Sequence, residues 1–138
     1  MTLCEIIVSC RDYMEHFNRH EYVEYFKKFS EMTAPVLEAV EDPHAEAVEL
    51  MNGLEAVWAQ EKRSRRRSFL RERDKLTICC YFNPLATNPE FPCGTQLADE
   101  IHALWIEKYP KEGYSVGTYD AIMKGFEPRI FGFKLNRD

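Results

Sequence analysis

Apolar residues recur at helical spacing from the first positions of the chain. Leu3, Ile6, Ile7, Cys10, Met14 and Phe17 fall within about 100° of one another on a helical wheel. Thr2 and Glu5 stand before this stripe with the spacing of a capping box. The pattern predicts a helix over 3–17, broken at Asn18, Arg19 and His20, which carry no apolar side chain. A second stripe follows on Tyr22, Phe26, Phe29, Val36 and Val40, flanked by Tyr25, Met32 and Leu37. Pro35 lies inside it, and a proline in a helix removes one hydrogen bond and clashes with the preceding turn, at roughly 3 kcal/mol. Either the helix kinks there or a new helix starts with Pro35 in its first turn; the unbroken register favours a kink.

Asp42-Pro43 reads as an N-cap acid followed by proline at the first helical position. The third helix then runs on Ala47, Met51, Leu54 and Trp58, weakened at Gly53 by about 1 kcal/mol relative to alanine. Past Trp58 the same face would present Glu61, then Arg65, and only then Phe69, so the apolar stripe stops. Residues 75–82, KLTICCYF, place Leu76, Ile78, Cys80 and Phe82 on one side and Thr77, Cys79 and Tyr81 on the other, which predicts a strand. NPLATNPEFPCG, residues 83–94, holds three prolines in twelve residues and predicts a loop. Thr95 caps an expected helix over 96–109, with Leu97, Ile101, Leu104, Trp105 and Lys108 on one face. A short helix over 118–124, closed by Gly125, and a strand over 129–135 with Phe131, Phe133 and Leu135 alternating complete the pattern.

The expected fold class is therefore α+β, mostly α. Three N-terminal amphipathic helices precede strand–helix–helix–strand, whose small two-stranded sheet lies against the helices. A chain of 138 residues has the size of a single globular domain, 1–138, and can bury most of its apolar surface without staples.

Composition adds constraints. A hydrophobic fraction of 45% argues against disorder of the whole chain. Five cysteines are an odd count. No cationic leader with an apolar run is present, and no stretch approaches the roughly 20 apolar residues of a membrane helix. The expectation is a cytoplasmic protein with reduced thiols that does not contact a membrane.

Charge changes the picture more. Residues 1–61 hold four basic and thirteen acidic side chains, whereas residues 62–75 hold eight basic and two acidic. Such asymmetry marks a candidate contact surface, and equally suits a basic segment that docks on acidic helices of its own chain. The candidate binding residues are Lys62, Arg63, Arg65, Arg66, Arg67, Arg71 and Arg73. On a helix continued from Ala47 they form a collar around the axis, not a stripe. Arg65 is the exception of interest: it falls on the core face, one turn after Glu61, the favourable order for an ion pair. A collar fits nucleic acid poorly, because a groove-binding helix concentrates its cations toward phosphate. The acidic helices would also repel a polyanion within a Debye length of about 8–10 Å. Nucleic acid is thus a disfavoured partner.

Catalytic and metal patterns are weak. Cys79 and Cys80 on a strand would face opposite ways, and no C-x2-C pair exists, so no metal and no cofactor is expected. Cys93, just before the 96–109 helix, is a candidate reactive thiol, since a helix N-terminus lowers a thiol pKa. His102 is too far along that helix to be its base. Asp99, Glu100 and Glu107 read as exposed positions. The segment GYSVG, 113–117, lacks the lysine and spacing of a phosphate loop.

The sequence favours a small cytosolic interaction or accessory domain without catalytic activity, with segment 62–75 as its contact surface. The partner is a protein or the chain itself, and a homodimer is compatible with apolar helices that exceed the needs of one small sheet. The alternative is a small enzyme or ligand-binding protein that holds an anionic, phosphate-bearing group with arginines 63–73.

Overall fold

The computed structural model describes residues 1–10, 19–60 and 67–110, and of residues 19–23, 67–70, 72 and 80 the backbone alone. Among them are α1 (Leu3–Ser9), α2 (Arg19–Ala39), α3 (Pro43–Gln60), α4 (Arg67–Thr77), a π-helical turn (Ile78–Phe82), α5 (Asn83–Ala86) and α6 (Gly94–Lys108).

The capping box forms as the spacing predicts. Thr2 Oγ1 accepts from the Glu5 N–H at 3.1 Å and the Glu5 carboxylate accepts from the Thr2 N–H at 2.9 Å. These two bonds also hold the Glu5 pKa below its ordinary value. Of the helix predicted over 3–17, the part Leu3–Ser9 is described; residues 11–17 lie outside the described residues. The second helix begins at Arg19, one of the residues expected to end the first, and runs through Pro35 without a restart. The carbonyl that loses its helical partner there is that of Glu31, an exposed residue, so water is within reach of it. In α3, Asp42 caps as expected: its Oδ1 accepts from the Ala45 N–H at 3.2 Å.

The α+β expectation is overturned. Residues 75–82, predicted as a strand, are helical, and no strand occurs among the described residues. The expected two-stranded sheet therefore has no first strand; the helix over 118–124 and the strand over 129–135 fall outside the described residues. The physical reason is that the segment is buried on almost every side. Asp74, Lys75, Thr77, Ile78, Cys79, Tyr81, Phe82 and Asn83 are at most 4% exposed. A short apolar run that is buried all round has no distinguishing period, so alternation carries no information there. The preceding RSFLRERDK is rich in helix formers, and a helix nucleated in α4 propagates onward at little cost.

This helix reaches Pro84, which reads as a stop, by widening. Pro84 lacks an N–H and its ring would strike the carbonyl four residues back. The chain changes to π-helical bonding over Ile78–Phe82, with the Asn83 N–H bonded to the Ile78 carbonyl, and then resumes as α5 with proline in its first turn. The predicted 83–94 loop is thus shorter than expected. Thr87 closes α5 by donating its hydroxyl to the Asn83 carbonyl at 2.9 Å.

The core is continuous. Tyr81 stands at its centre, with Tyr25 and Phe29 at ring-centroid distances of 5.6 Å and Phe26 at 6.1 Å. Of the aromatic residues of α2, Tyr25, Phe26 and Phe29 are therefore spent on internal packing. Helix α3 lies along α6, and α1 packs on both α2 and α3. No helix among the described residues is long and apolar enough to cross a membrane.

Candidate interaction surface

The end of the basic segment is bound into the molecule by aromatic rings. Trp58, near the end of α3, donates its indole N–H to the Asp74 carboxylate at 2.6 Å, with both side chains buried. A hydrogen bond to an ionised acceptor in a dry setting is among the stronger kinds. One turn earlier on α4, the Arg71 guanidinium lies 4.8 Å from the Tyr109 ring centroid and 5.9 Å from that of Trp58. Arg71 is half-buried, and such a contact is worth about 1 kcal/mol. Trp58 and Trp105 meet edge to face at 5.5 Å, and each stands 5.9 Å from Tyr109. Glu55 completes the rim, accepting from Lys108 Nζ at 2.6 Å and from the Tyr109 hydroxyl at 3.1 Å.

The sequence candidates divide accordingly. Lys62, Arg63, Arg65 and Arg66 lie outside the described residues. Arg67 is the first residue of α4, described in its backbone. Arg71 rests on the aromatic cluster, and Arg73 is half-buried on the same helix. Lys75, the last cation of the run, is 4% exposed. The wheel reading of one helix continued from Ala47 does not hold to Arg73, because α3 ends at Gln60 and a separate helix begins at Arg67. Sequence reasoning missed Trp58, Tyr109 and Asp74 as the seat of the run. The available signal was an acid, Asp74, inside a basic stretch that would otherwise repel itself.

Cys93 is the N-cap residue of α6, displacing Thr95 from the expected role, and is half-buried with no side-chain capping bond. His102 is buried. Its Nδ1–H donates to the Ala98 carbonyl at 3.2 Å, and burial pushes its pKa below the usual histidine value. Cys93 and His102 are nine residues apart, roughly 13 Å along α6. Among the described residues, no three His, Cys, Asp or Glu side chains gather as a metal site requires.

A second surface lies where α1 begins, α2 ends and α3 begins. An inner cavity of about 210 Å³ is lined by Leu3, Cys4, Leu50 and Gly53, and it adjoins a groove of about 370 Å³ lined by Pro35, Val36, Ala39 and Val40. Thr2, Glu46 and Glu49 border both. Glu46 is half-buried, and burial together with the nearby charge of Glu49 raises its pKa above the ordinary carboxylate value.

Comparison with known proteins finds no matching family model, no similar curated protein and no similar solved structure.

Proposed function

We propose that the protein is a single-domain, cytosolic interaction or accessory module without catalytic activity, and that segment 62–75 is its contact surface. The observation that carries this reading is the seating of Arg71 and Asp74 on Tyr109 and Trp58. It ties the C-terminal end of the basic run to the α3–α6 pair, so the cations before it start from a rigid base, which lowers the entropy lost when a partner is engaged. The competing reading, a small enzyme or ligand-binding protein that grips a phosphate-bearing group with arginines 63–73, is weakened by the same contacts. Arg71 is already committed to two rings and Arg73 is half-buried.

The test is a melting-temperature screen of the full chain with nucleotides, sugar phosphates and oligonucleotides, run beside cross-linking in cell extract of the wild type and of the R65Q/R66Q variant. The expected result is no ligand-induced stabilisation and a set of cross-linked proteins lost in the variant. A rise in melting temperature with one phosphate-bearing class moves the assignment to the ligand-binding reading.

A further inference from the structure

The groove where α1 begins, α2 ends and α3 begins has an apolar floor of Pro35, Val36, Ala39 and Val40, and Met1 at its edge is 71% exposed. Its rim is acidic. From Phe29 to Glu61 the chain holds eight acidic residues and neither lysine nor arginine. Five of the eight, Glu38, Glu41, Asp42, Glu46 and Glu49, fall where α2 ends and α3 begins. The histidine among them, His44, is turned to Glu100. Among the described residues neither Glu46 nor Glu49 pairs with a cation. Burial and the charge of Glu49 raise the Glu46 pKa, the direction of a carboxylate that lacks a counter-charge. An apolar floor between carboxylates fits a polypeptide segment that mixes large apolar side chains with cations. Burial of the first supplies affinity, and the second fix its place.

The chain's own sequence is informative about such a segment. Residues 62–66, KRSRR, offer cations but no apolar side chain for the floor. From Arg67 onward that run is α4, seated on Tyr109 and Trp58 through Arg71 and Asp74. Residues 129–137, RIFGFKLNR, offer both kinds: Arg129, Lys134 and Arg137 with no acid, and Ile130, Phe131, Phe133 and Leu135 between them. This segment lies outside the described residues, which end at Pro110. Its tether is long enough. The Tyr109 hydroxyl is held at Glu55, and Glu46 is nine residues before Glu55 on α3, about 14 Å along the axis. The nineteen steps from Pro110 to Arg129 allow up to about 60 Å. A segment tied to its site in this way meets it at an effective concentration on the order of 1 mM, which favours it over a free partner of the same chemistry.

We propose that the groove bordered by Glu46 and Glu49 binds residues 129–137 of its own chain. The apolar side chains of the segment take the floor, and its cations take the glutamates. The contact is separate from segment 62–75 and does not depend on the reading of that segment as a contact surface. It makes the groove a self-covered site, which a partner with a similar apolar and basic segment enters only by displacement.

The test is fluorescence anisotropy of a labelled peptide of residues 128–138, PRIFGFKLNRD, titrated with the full chain. Four proteins are compared: wild type, F131S/K134Q, F131S/K134Q with E46Q/E49Q, and R65Q/R66Q, each checked for helix content and melting temperature. The peptide is expected to bind F131S/K134Q at least about tenfold more tightly than wild type, whose own segment competes for the groove. Adding E46Q/E49Q is expected to remove that binding, and raising salt from about 20 mM to about 500 mM is expected to weaken it. Equal binding to wild type and F131S/K134Q, or binding that survives E46Q/E49Q, overturns the inference. A gain in R65Q/R66Q as large as that in F131S/K134Q also overturns it and makes residues 62–66 the occupant. A second measurement needs no variant: zero-length carbodiimide cross-linking of the dilute wild type, read by mass spectrometry. A bond from Lys134 to Glu46 or Glu49 within the monomer is expected. No such bond, or one found only in a dimer, overturns the inference.

Discussion

Gly94 shows how much one missing side chain can matter. A Cβ built there would lie 2.0 Å from the Ala86 carbonyl oxygen, a backbone atom that cannot rotate away. Gly94→Ala must therefore push α6 off α5, and a loss of about 3 kcal/mol, the upper end of overpacking costs, is expected in urea denaturation. Gly53 is the instructive contrast. A Cβ there meets Cys4 Sγ at 2.9 Å and Cys4 Cβ at 3.1 Å; the thiol can rotate aside and the Cβ needs only a shift of a few tenths of an ångström, while alanine gains about 1 kcal/mol of helix propensity. Gly53→Ala is expected to fall within about 1 kcal/mol of wild type. Cys10 makes a different prediction. Burial pushes its thiol up to about 12 from 9.0, although the Tyr25 hydroxyl donates to its sulfur at 3.1 Å. Its contribution is complete below pH 9.0 and is lost as pH rises toward 12, because the unfolded chain releases the proton first. In alkaline denaturation series, the stability difference between wild type and Cys10→Ala should shrink above about pH 9.

The histidines separate in opposite directions. His44 Nδ1 lies 2.9 Å from the Glu100 carboxylate, joining the start of α3 to α6, and this bond raises its pKa above 6.5. His102 is driven below 6.5 by burial. His44 therefore adds stability that is fully present below pH 6.5 and fades as pH climbs through its raised value. His102 adds stability that is present above 6.5 and fades as pH falls through its lowered value. Proton NMR titration should show the two ring signals moving in separate pH ranges, and Glu100→Gln should bring His44 back toward 6.5 without moving His102.

At the scale of elements, α4, the π-helical turn and α5 follow one another without a break from Arg67 to Ala86. The anchor of this unit is the Trp58–Asp74 bond. Trp58→Phe keeps the ring packing but takes the indole donor from a buried carboxylate, and a loss of about 1–3 kcal/mol in thermal or urea unfolding is expected. A loss under about 0.5 kcal/mol would show that other donors suffice for Asp74. This unit was also the least legible in the sequence. The capping box at Thr2, the start at Asp42-Pro43 and the stripes of α2, α3 and α6 could be read because each depends on neighbours in the chain. KLTICCYF could not, because its burial on almost every side is a tertiary fact and erases the period that separates strand from helix. Pro84 and Asn83 suggested a stop, whereas the π-helical turn absorbs the proline. For the contact surface, the cations were visible at once. Their seat was not, since Trp58 and Asp74 are sixteen residues apart and meet only when α4 turns back on α3.

For the whole molecule, an acidic first half and a basic patch coexist in one chain of net charge −5. The packing of α3 along α6 sets where each is displayed: the Glu46 and Glu49 groove at the beginning of α3, the Arg71 seat near its end. The same helix pair has an optical consequence. Both tryptophans of the chain, Trp58 and Trp105, are buried edge to face 5.5 Å apart. Intrinsic fluorescence therefore watches a single internal seam: emission stays blue while α3 and α6 hold together and shifts red when water enters between them, which gives a label-free readout of that one junction.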